Sequence, residues 1–204
     1  MKEIRVQNLV LGMLATNCWF LQNPETKELL IVDPAASPER IFQQVTAMEG
    51  KPAAVLLTHG HYDHVGAVAA LREQTGCKVY MDPADAAGSQ MLPLSRGLVD
   101  ENWPEGDELT IDELTFRVYH TPGHTPGSVC LQCGGLLFSG DTLFAGSCGR
   151  TDLPGGSMAQ MQKSLSMLAA LPLPDETQVL PGHEAFSTLG RERRGNPCLN
   201  GAWF

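Results

Sequence analysis

Apolar residues along the chain recur either in short runs or at helical spacing, and this pattern predicts a mixture of strands and helices. An interrupted apolar stretch from Val6 to Leu21 predicts two strands that turn at Gly12. Further short apolar runs predict strands over residues 28–32, 53–57, 78–81, 108–111, 115–120, 128–131, 136–139 and 178–180. Helical spacing predicts helices over residues 38–49, 63–74, 157–171 and 187–194, the first of them capped by Ser37.

The order of these elements predicts a layered fold. The run over 53–57 is continuously apolar, which is typical of a strand covered on both faces. Strands and helices occur in two similar halves, so we expect an α/β (α+β) architecture with helices outside a layered β core. Residues 83–106 have no clean period and predict a short helix followed by a loop. A length of 204 residues fits a single domain over residues 1–204.

Composition narrows the class of protein. The chain has 14 basic and 23 acidic residues and a net charge of -9, which does not suit a nucleic-acid partner. The apolar stretch near the start is too short and polar to span a membrane, and Glu3 does not fit a signal peptide. We therefore expect a cytoplasmic protein with reduced cysteines and no membrane partner. Cys130 and Cys133 form a C-x-x-C inside a strand-like run, which favours core residues over a metal site.

A cluster of histidines directly follows the predicted strand over 53–57. His59, His61, Asp63 and His64 form the pattern H-x-H-x-D-H. Residues two apart share a side of an extended chain but lie about 200° apart around a helix, so His59 and His61 converge only in an extended segment. Asp63 and His64 are adjacent and reach the same point only if a helix begins there. Imidazole and carboxylate ligands suit zinc, iron or manganese better than calcium.

Three more candidate ligands follow other predicted strands. His124 lies in a loop with two Pro-Gly pairs, Asp141 follows Gly140, and His183 follows a third Pro-Gly pair. Strand ends at one edge of a sheet can converge, so we expect these side chains to join the first cluster. His120 ends a strand itself, and we interpret it as a neighbour of the ligands or a core residue rather than a ligand.

In this order, and with these flanking glycines, the seven residues resemble the metal site of the metallo-β-lactamase superfamily. Within it the sequence is most similar to the short hydroxyacylglutathione hydrolase (glyoxalase II) type, from residue 9 to residue 197. The resemblance implies an αββα four-layer sandwich of two mixed sheets, with the site at the rim between the sheets. It also implies two divalent metal ions, with zinc favoured over iron or manganese. The implied ligands are His59, His61 and His124 for one ion and Asp63, His64 and His183 for the other, with Asp141 bridging.

The resemblance also implies a reaction. An aspartate at position 141 argues against a true β-lactamase, where that position is usually Cys or Ser, and 204 residues leave no room for the inserted domain of the superfamily's RNases. We expect hydrolysis of a small-molecule thioester of the S-lactoylglutathione type by a bridging hydroxide, with Asp63 and Asp141 as catalytic residues. A thiolate leaves without much help from a general acid, since the pKa of a thiol is about 8.5.

Substrate contacts are predicted less directly. Arg150 falls where the family has a basic residue near the thiol ligand, and Tyr62 and Phe144 are candidate pocket walls. Arg193 and Arg194 are alternatives to Arg150 for holding a substrate carboxylate.

Other functions remain open on the sequence alone. The run from Cys148 to Asp152 also resembles persulfide dioxygenases of the same superfamily, which use a single iron. A lactonase is a further alternative within the superfamily. A structural metal protein is the non-enzyme alternative, but seven ligands exceed what a closed tetrahedral site needs.

Overall fold

A computed structural model describes residues 4–103 and 108–201. Its strands are β1 (Arg5–Leu11), β2 (Thr16–Gln22), β3 (Glu28–Val32), β4 (Lys51–Leu56), β5 (Lys78–Tyr80), β6 (Glu108–Ile111), β7 (Leu114–His120), β8 (Val129–Cys133), β9 (Leu136–Gly140), β10 (Leu143–Phe144), β11 (Ser147–Cys148), β12 (Gln178–Pro181) and β13 (Ser187–Thr188). Its helices are α1 (Pro38–Ala47), α2 (Tyr62–Val65), α3 (Val68–Thr75), α4 (Met158–Ala170) and α5 (Leu189–Gly195). In this part of the chain, no helix combines the length and apolarity that a membrane span requires.

Two mixed sheets form the centre of the fold. The first has the strand order β1-β2-β3-β4-β5, antiparallel from β1 to β3 and parallel from β3 to β5. The second has the order β13-β12-β9-β8-β7-β6, in which only the β12–β9 pair is parallel. Strands β10 and β11 form a separate hairpin.

Alternating side chains on β3 show how the layers are built. Leu29 and Ile31 pack with residues of α1 and α3, whereas Leu30 and Val32 pack against the second sheet. Because both faces of the strand are covered, its sequence is a continuous apolar run.

Helix α4 covers the outer face of the second sheet. Met161, Leu165 and Leu168 are fully buried at helical spacing and pack with side chains of β9 and β12. The layer order is therefore helix, sheet, sheet, helix, which confirms the predicted αββα sandwich. Cys130 and Cys133 are both buried on β8, in the α4 layer and between the sheets respectively, so their interpretation as core residues is confirmed.

The helix predicted over 63–74 is wrong as a single element, because it breaks at Gly66. The Gly66 N–H donates to Ala35 O at 3.0 Å and the Ala67 N–H to Pro34 O at 2.9 Å, so both amides leave the helical ladder. A β-carbon on Gly66 would lie 2.3 Å from Ala35 O, so only glycine allows this approach. The break leaves α2 as a single turn that carries part of the histidine cluster.

Other differences lie where the sequence pattern is weak. The helix expected early in 83–106 is instead two 3₁₀ turns, Pro83–Asp85 and Arg96–Leu98, and residues 104–107 lie outside the described residues. The helix predicted over 187–194 begins two residues later, after the short strand β13, and the β10–β11 hairpin was not predicted. Ser37 precedes α1 but makes no side-chain cap, because its backbone is left-handed at φ 52°.

Candidate metal centre

The H-x-H-x-D-H segment connects β4 to α2. His61 is still extended, with φ -61° and ψ 146°, and the helix begins at Tyr62. This is the extended-then-helical path that the spacing predicts. It brings the ring nitrogens of His59 and His61 within 4.8 Å of each other and of a nitrogen of His124.

The remaining candidates arrive from the ends of other strands. His124 lies between β7 and β8, Asp141 directly follows β9, and His183 follows β12. Strands β9 and β12 are parallel neighbours, and the Gly182 N–H donates to Gly140 O at 2.8 Å, so Asp141 and His183 leave the sheet side by side. All seven predicted side chains therefore meet at one edge of the sandwich.

Close approaches link the cluster into overlapping groups. His61 Nδ1 is 2.8 Å from His124 Nε2, and His183 Nε2 is 3.2 Å from Asp63 Oδ2. Asp141 lies between them, with Oδ2 3.4 Å from His124 Nε2 and Oδ1 3.4 Å from His64 Nε2. Three groups have atoms close enough to share a cation: His59 with His61 and His124, His59 with His64 and Asp141, and Asp63 with His64 and His183.

Hydrogen bonds outside the cluster hold three of the rings. The Nδ1–H of His64 donates to Asp33 Oδ2 at 3.0 Å, that of His124 to Arg150 O at 2.7 Å, and that of His183 to Leu14 O at 3.1 Å. Each bond leaves Nε2 directed into the cluster. Metal-binding histidines are oriented in this way in proteins generally.

The protonation of His59 follows from its neighbours. The Thr58 hydroxyl donates to Asp33 Oδ2 at 2.7 Å, so its oxygen accepts from His59 Nδ1–H at 3.1 Å. His59 Nε2 then carries a lone pair, and it is buried without a hydrogen-bond partner, as is Asp141 Oδ1. Buried polar atoms are rarely left unpaired. A divalent cation fits both orphaned atoms, since each offers a lone pair and neither offers a proton.

Ionisation in the cluster also suits a metal. Burial lowers the pKa of His59 well below its ordinary value, assisted by the neighbouring histidines, and burial with His124 lowers the pKa of His61 to about 4. Burial opposes ionisation of Asp141, but His64 and then His124 outweigh it and lower the pKa of Asp141 to about 2. Neutral imidazoles and ionised carboxylates are the forms that bind metal.

His64 differs from these two histidines. Burial acts to lower its pKa, but Asp141 and Asp33 on either side of the ring raise the pKa well above its ordinary value. In the absence of a cation, a proton on His64 balances the two carboxylates. A metal ion must therefore displace that proton.

The cluster opens into a cleft of about 780 Å³. Tyr62, Phe144 and Arg150 all line it, as predicted, and the Phe144 ring centroid is 6.2 Å from that of His183. The Arg150 guanidinium makes two hydrogen bonds of 2.7 Å to Asp152, so its charge is already paired.

Arg193 and Arg194 are wrong as alternatives to Arg150. Arg193 donates to Ala169 O in the last turn of α4 and to Leu173 O beyond the helix, and both arginines bond the Asp175 carboxylate. They therefore bind the loop after α4 instead of lining the cleft.

Two buried carboxylates beside the cluster were missed by the sequence analysis. Asp33 could have been found, because it ends an apolar strand as the candidate ligands do. Asp85 gives no such signal, because it lies in the irregular middle of the chain.

His120 is an ion-pair partner of Asp82 at 3.4 Å, and its side chain is 44% exposed, so it is not a core residue.

Comparison with known proteins agrees with this geometry. Residues 11–183 match the family described as Metallo-beta-lactamase superfamily. A protein named hydroxyacylglutathione hydrolase GloC, from Haemophilus influenzae, is 33% identical over 90% of this chain and 92% of its own length. The crystal structure of the BLEG-1 B3 metallo-β-lactamase is 35% identical, covers 97% of this chain and 100% of its own, and has a TM-score of 0.87. That of ETHE1 from Myxococcus xanthus is 30% identical, covers 97% and 85%, and has a TM-score of 0.85.

Proposed function

The chain belongs to the metallo-β-lactamase superfamily, a superfamily of metallo-hydrolases, and from this premise we propose that it hydrolyses small-molecule thioesters with two divalent metal ions, zinc first among them. The observation that carries the proposal is the cluster itself. Seven His and Asp side chains form overlapping cation-binding groups, two buried lone pairs lack a partner, and the cluster opens into a cleft.

We assign the seven ligands to two metal ions. His59, His61 and His124 would hold one ion, and Asp63, His64 and His183 the other, with the Asp141 carboxylate between them. When bound, such ions lower the pKa of water enough to supply a hydroxide at neutral pH and polarise the acyl oxygen of the substrate. Four of the side chains lie on the β4–α2 segment, and Asp141 and His183 follow the ends of strands, so the two sheets preorganise the site. His124 lies in the loop between β7 and β8.

Asp63 is the residue that we assign to proton transfer. It lines the cleft, and its Oδ2 accepts from Thr16 Oγ1 at 3.4 Å and lies 3.2 Å from His183 Nε2. Burial opposes ionisation of Asp63, but the hydrogen bond with His183 and the charge of His64 lower its pKa below the ordinary value. An ionised carboxylate can accept the proton of the attacking water and orient its lone pair.

Thioesters fit the site better than amides do. The leaving thiol has a pKa of about 8.5 and departs as a thiolate without a proton donor. Tyr62 and Phe144 would pack against the apolar parts of the substrate, and Arg150 would bind a substrate carboxylate by exchanging it for Asp152. The similarity to hydroxyacylglutathione hydrolase GloC supports this substrate class.

Turnover of S-lactoylglutathione under anaerobic conditions tests the proposal. We expect release of free thiol by the zinc-loaded protein, about two metal ions per chain, and loss of at least 100-fold in kcat for Asp63→Asn. A β-lactam is the control substrate, since the BLEG-1 protein is named a β-lactamase. Absence of turnover for any thioester by metal-loaded protein would refute the proposal.

A second candidate is a persulfide dioxygenase with one iron, and the similarity to ETHE1 is the observation that favours it. Sulfite formation from glutathione persulfide with consumption of oxygen, and one iron per chain, would decide for this candidate. Lactone hydrolysis is a further alternative, and a lactone assayed beside S-lactoylglutathione and glutathione persulfide would distinguish it from the other two activities. For either enzyme we propose a reducing cytoplasm as the compartment, because Cys18, Cys77, Cys130 and Cys133 are buried thiols without a disulfide partner.

A further inference from the structure

Asp85 is a fully buried carboxylate that none of the predicted ligands explains. It is the last residue of the 3₁₀ turn Pro83–Asp85, between the two segments that carry His59, His61 and His124. Burying a carboxylate is costly unless its oxygens are hydrogen-bonded. Its partners therefore indicate what the carboxylate is for.

The partners of Asp85 come from both ligand loops. Its Oδ2 accepts from the Gly60 N–H at 2.9 Å and the Thr125 hydroxyl at 2.7 Å, and its Oδ1 accepts from the Gly127 N–H at 2.8 Å. Gly60 lies between His59 and His61, and Thr125 directly follows His124. One carboxylate thus connects all three histidines of one candidate metal group.

Both glycines are needed for this contact. A β-carbon on Gly60 would lie 2.8 Å from the Asp85 β-carbon, and one on Gly127 would lie 2.7 Å from Asp85 Oδ1. The backbones of both loops therefore approach Asp85 closely. The glycines of the H-G-H and T-P-G-S segments are explained by this close approach.

The other candidate metal group is held without Asp85. His64 is oriented by Asp33 and His183 by Leu14 O. Asp33 contacts His64 directly and reaches His59 through Thr58, so it supports both groups, whereas the hydrogen bonds of Asp85 go to the loops of the first group.

We propose that Asp85 is a positioning residue that sets the separation of the two loops bearing His59, His61 and His124, and so controls metal affinity at that group alone. The proposal rests on the proposed metal site but not on the substrate.

Asp85→Asn is the variant that tests the proposal with the least change in shape. An amide offers one acceptor and one NH₂. In either orientation, the NH₂ faces the N–H of Gly60 or that of Gly127, so one ligand loop loses a backbone hydrogen bond to this side chain. Asp82→Asn is the matched control, because Asp82 is three residues away and contacts the Ala84 N–H at 2.8 Å and the exposed His120 side chain at 3.4 Å, neither of which belongs to a predicted ligand. An amide oxygen can keep the cap on Ala84.

Zinc affinity is measured in two backgrounds by competition with a chromogenic chelator. His183→Ala retains the three-histidine group, and His61→Ala retains the group of Asp63, His64 and His183. We expect Asp85→Asn to weaken zinc binding about 10- to 100-fold in the first background. In the second background we expect Asp85→Asn to change zinc affinity less than about 3-fold, since Asp85 does not hold that group. For Asp82→Asn we expect a change of less than about 3-fold in both backgrounds, since Asp82 does not hold either group.

Equal losses in the two backgrounds, or no loss in the first, would overturn the proposal. Equal losses are what a general destabilisation of the fold would produce. If Asp85→Asn does not fold, Thr125→Val removes one of the three donors and leaves the carboxylate, and the same selective pattern is required of it. Because the readout is zinc affinity, the result does not depend on whether the protein hydrolyses thioesters.

Discussion

Thr58→Val tests the hydrogen-bond chain that prepares His59 to bind metal. Thr58 is buried, and its hydroxyl donates to Asp33 Oδ2 at 2.7 Å while accepting from His59 Nδ1–H at 3.1 Å. Valine has the same shape as threonine, but its side chain can neither donate nor accept a hydrogen bond. The ring of His59 is then no longer held with its proton on Nδ1 and its lone pair on Nε2.

The size of the effect follows from the two bonds. A hydrogen bond to a charged acceptor contributes about 1.5–3 kcal/mol, and a buried N–H left without a partner costs about 1–3 kcal/mol. We therefore expect metal-free Thr58→Val to lose about 3–5 kcal/mol of unfolding free energy, or roughly 10 °C in Tm for a chain of this length. We also expect zinc affinity to fall about 10- to 100-fold, because the bond orients a ligand.

Urea denaturation of chelator-treated protein measures the first quantity, and chelator competition measures the second. Thr58→Ser is the control, because it keeps the hydroxyl and removes one methyl group, for an expected cost of about 1 kcal/mol. The reasoning is refuted if Thr58→Val is as stable as Thr58→Ser, or if it binds zinc as tightly as the wild type.

Three further predictions follow from the cluster and its cleft. Gly182→Ala places a β-carbon 2.4 Å from Asp141 Oδ1, so bound metal measured by mass spectrometry should fall by at least half; full occupancy would contradict this close contact. Asp152→Ala frees the Arg150 guanidinium, so KM for an anionic thioester should fall about 2- to 10-fold with kcat unchanged, whereas an unchanged KM would remove Arg150 from substrate binding. Zinc binding at pH 7 should release at least one proton, because the pKa of His64 is raised; calorimetry in buffers of different ionisation enthalpy would detect it, and no release would contradict the proton on His64.

The sequence alone predicted the ligand types of the site and, through its resemblance to the superfamily, the order of the layers. Imidazole and carboxylate groups that converge can bind a metal ion, and the spacing of His59, His61 and Asp63 requires an extended segment that turns into a helix if these side chains are to meet. The apolar run over 53–57 likewise predicts a strand covered on both faces, and in β4 Val55 packs with the helices while Leu56 packs against the second sheet. These features are local, so they can be inferred from neighbouring residues.

Only the tertiary structure decided which groups support the ligands. Asp33 meets Thr58 and His64, and Asp85 meets Gly60 and Gly127, across 25 to 42 residues of sequence. Such partners depend on how the sheets and loops pack, and no periodicity encodes them.

The break at Gly66 also depends on a distant segment. The Gly66 amide prefers Ala35 O to its own helix, because packing brings that carbonyl within reach. The pairing of Arg150 with Asp152 differs, because it is a local contact between residues two apart. Residue types thus specify what a side chain can bind, while packing of distant segments selects which of the available partners it does bind.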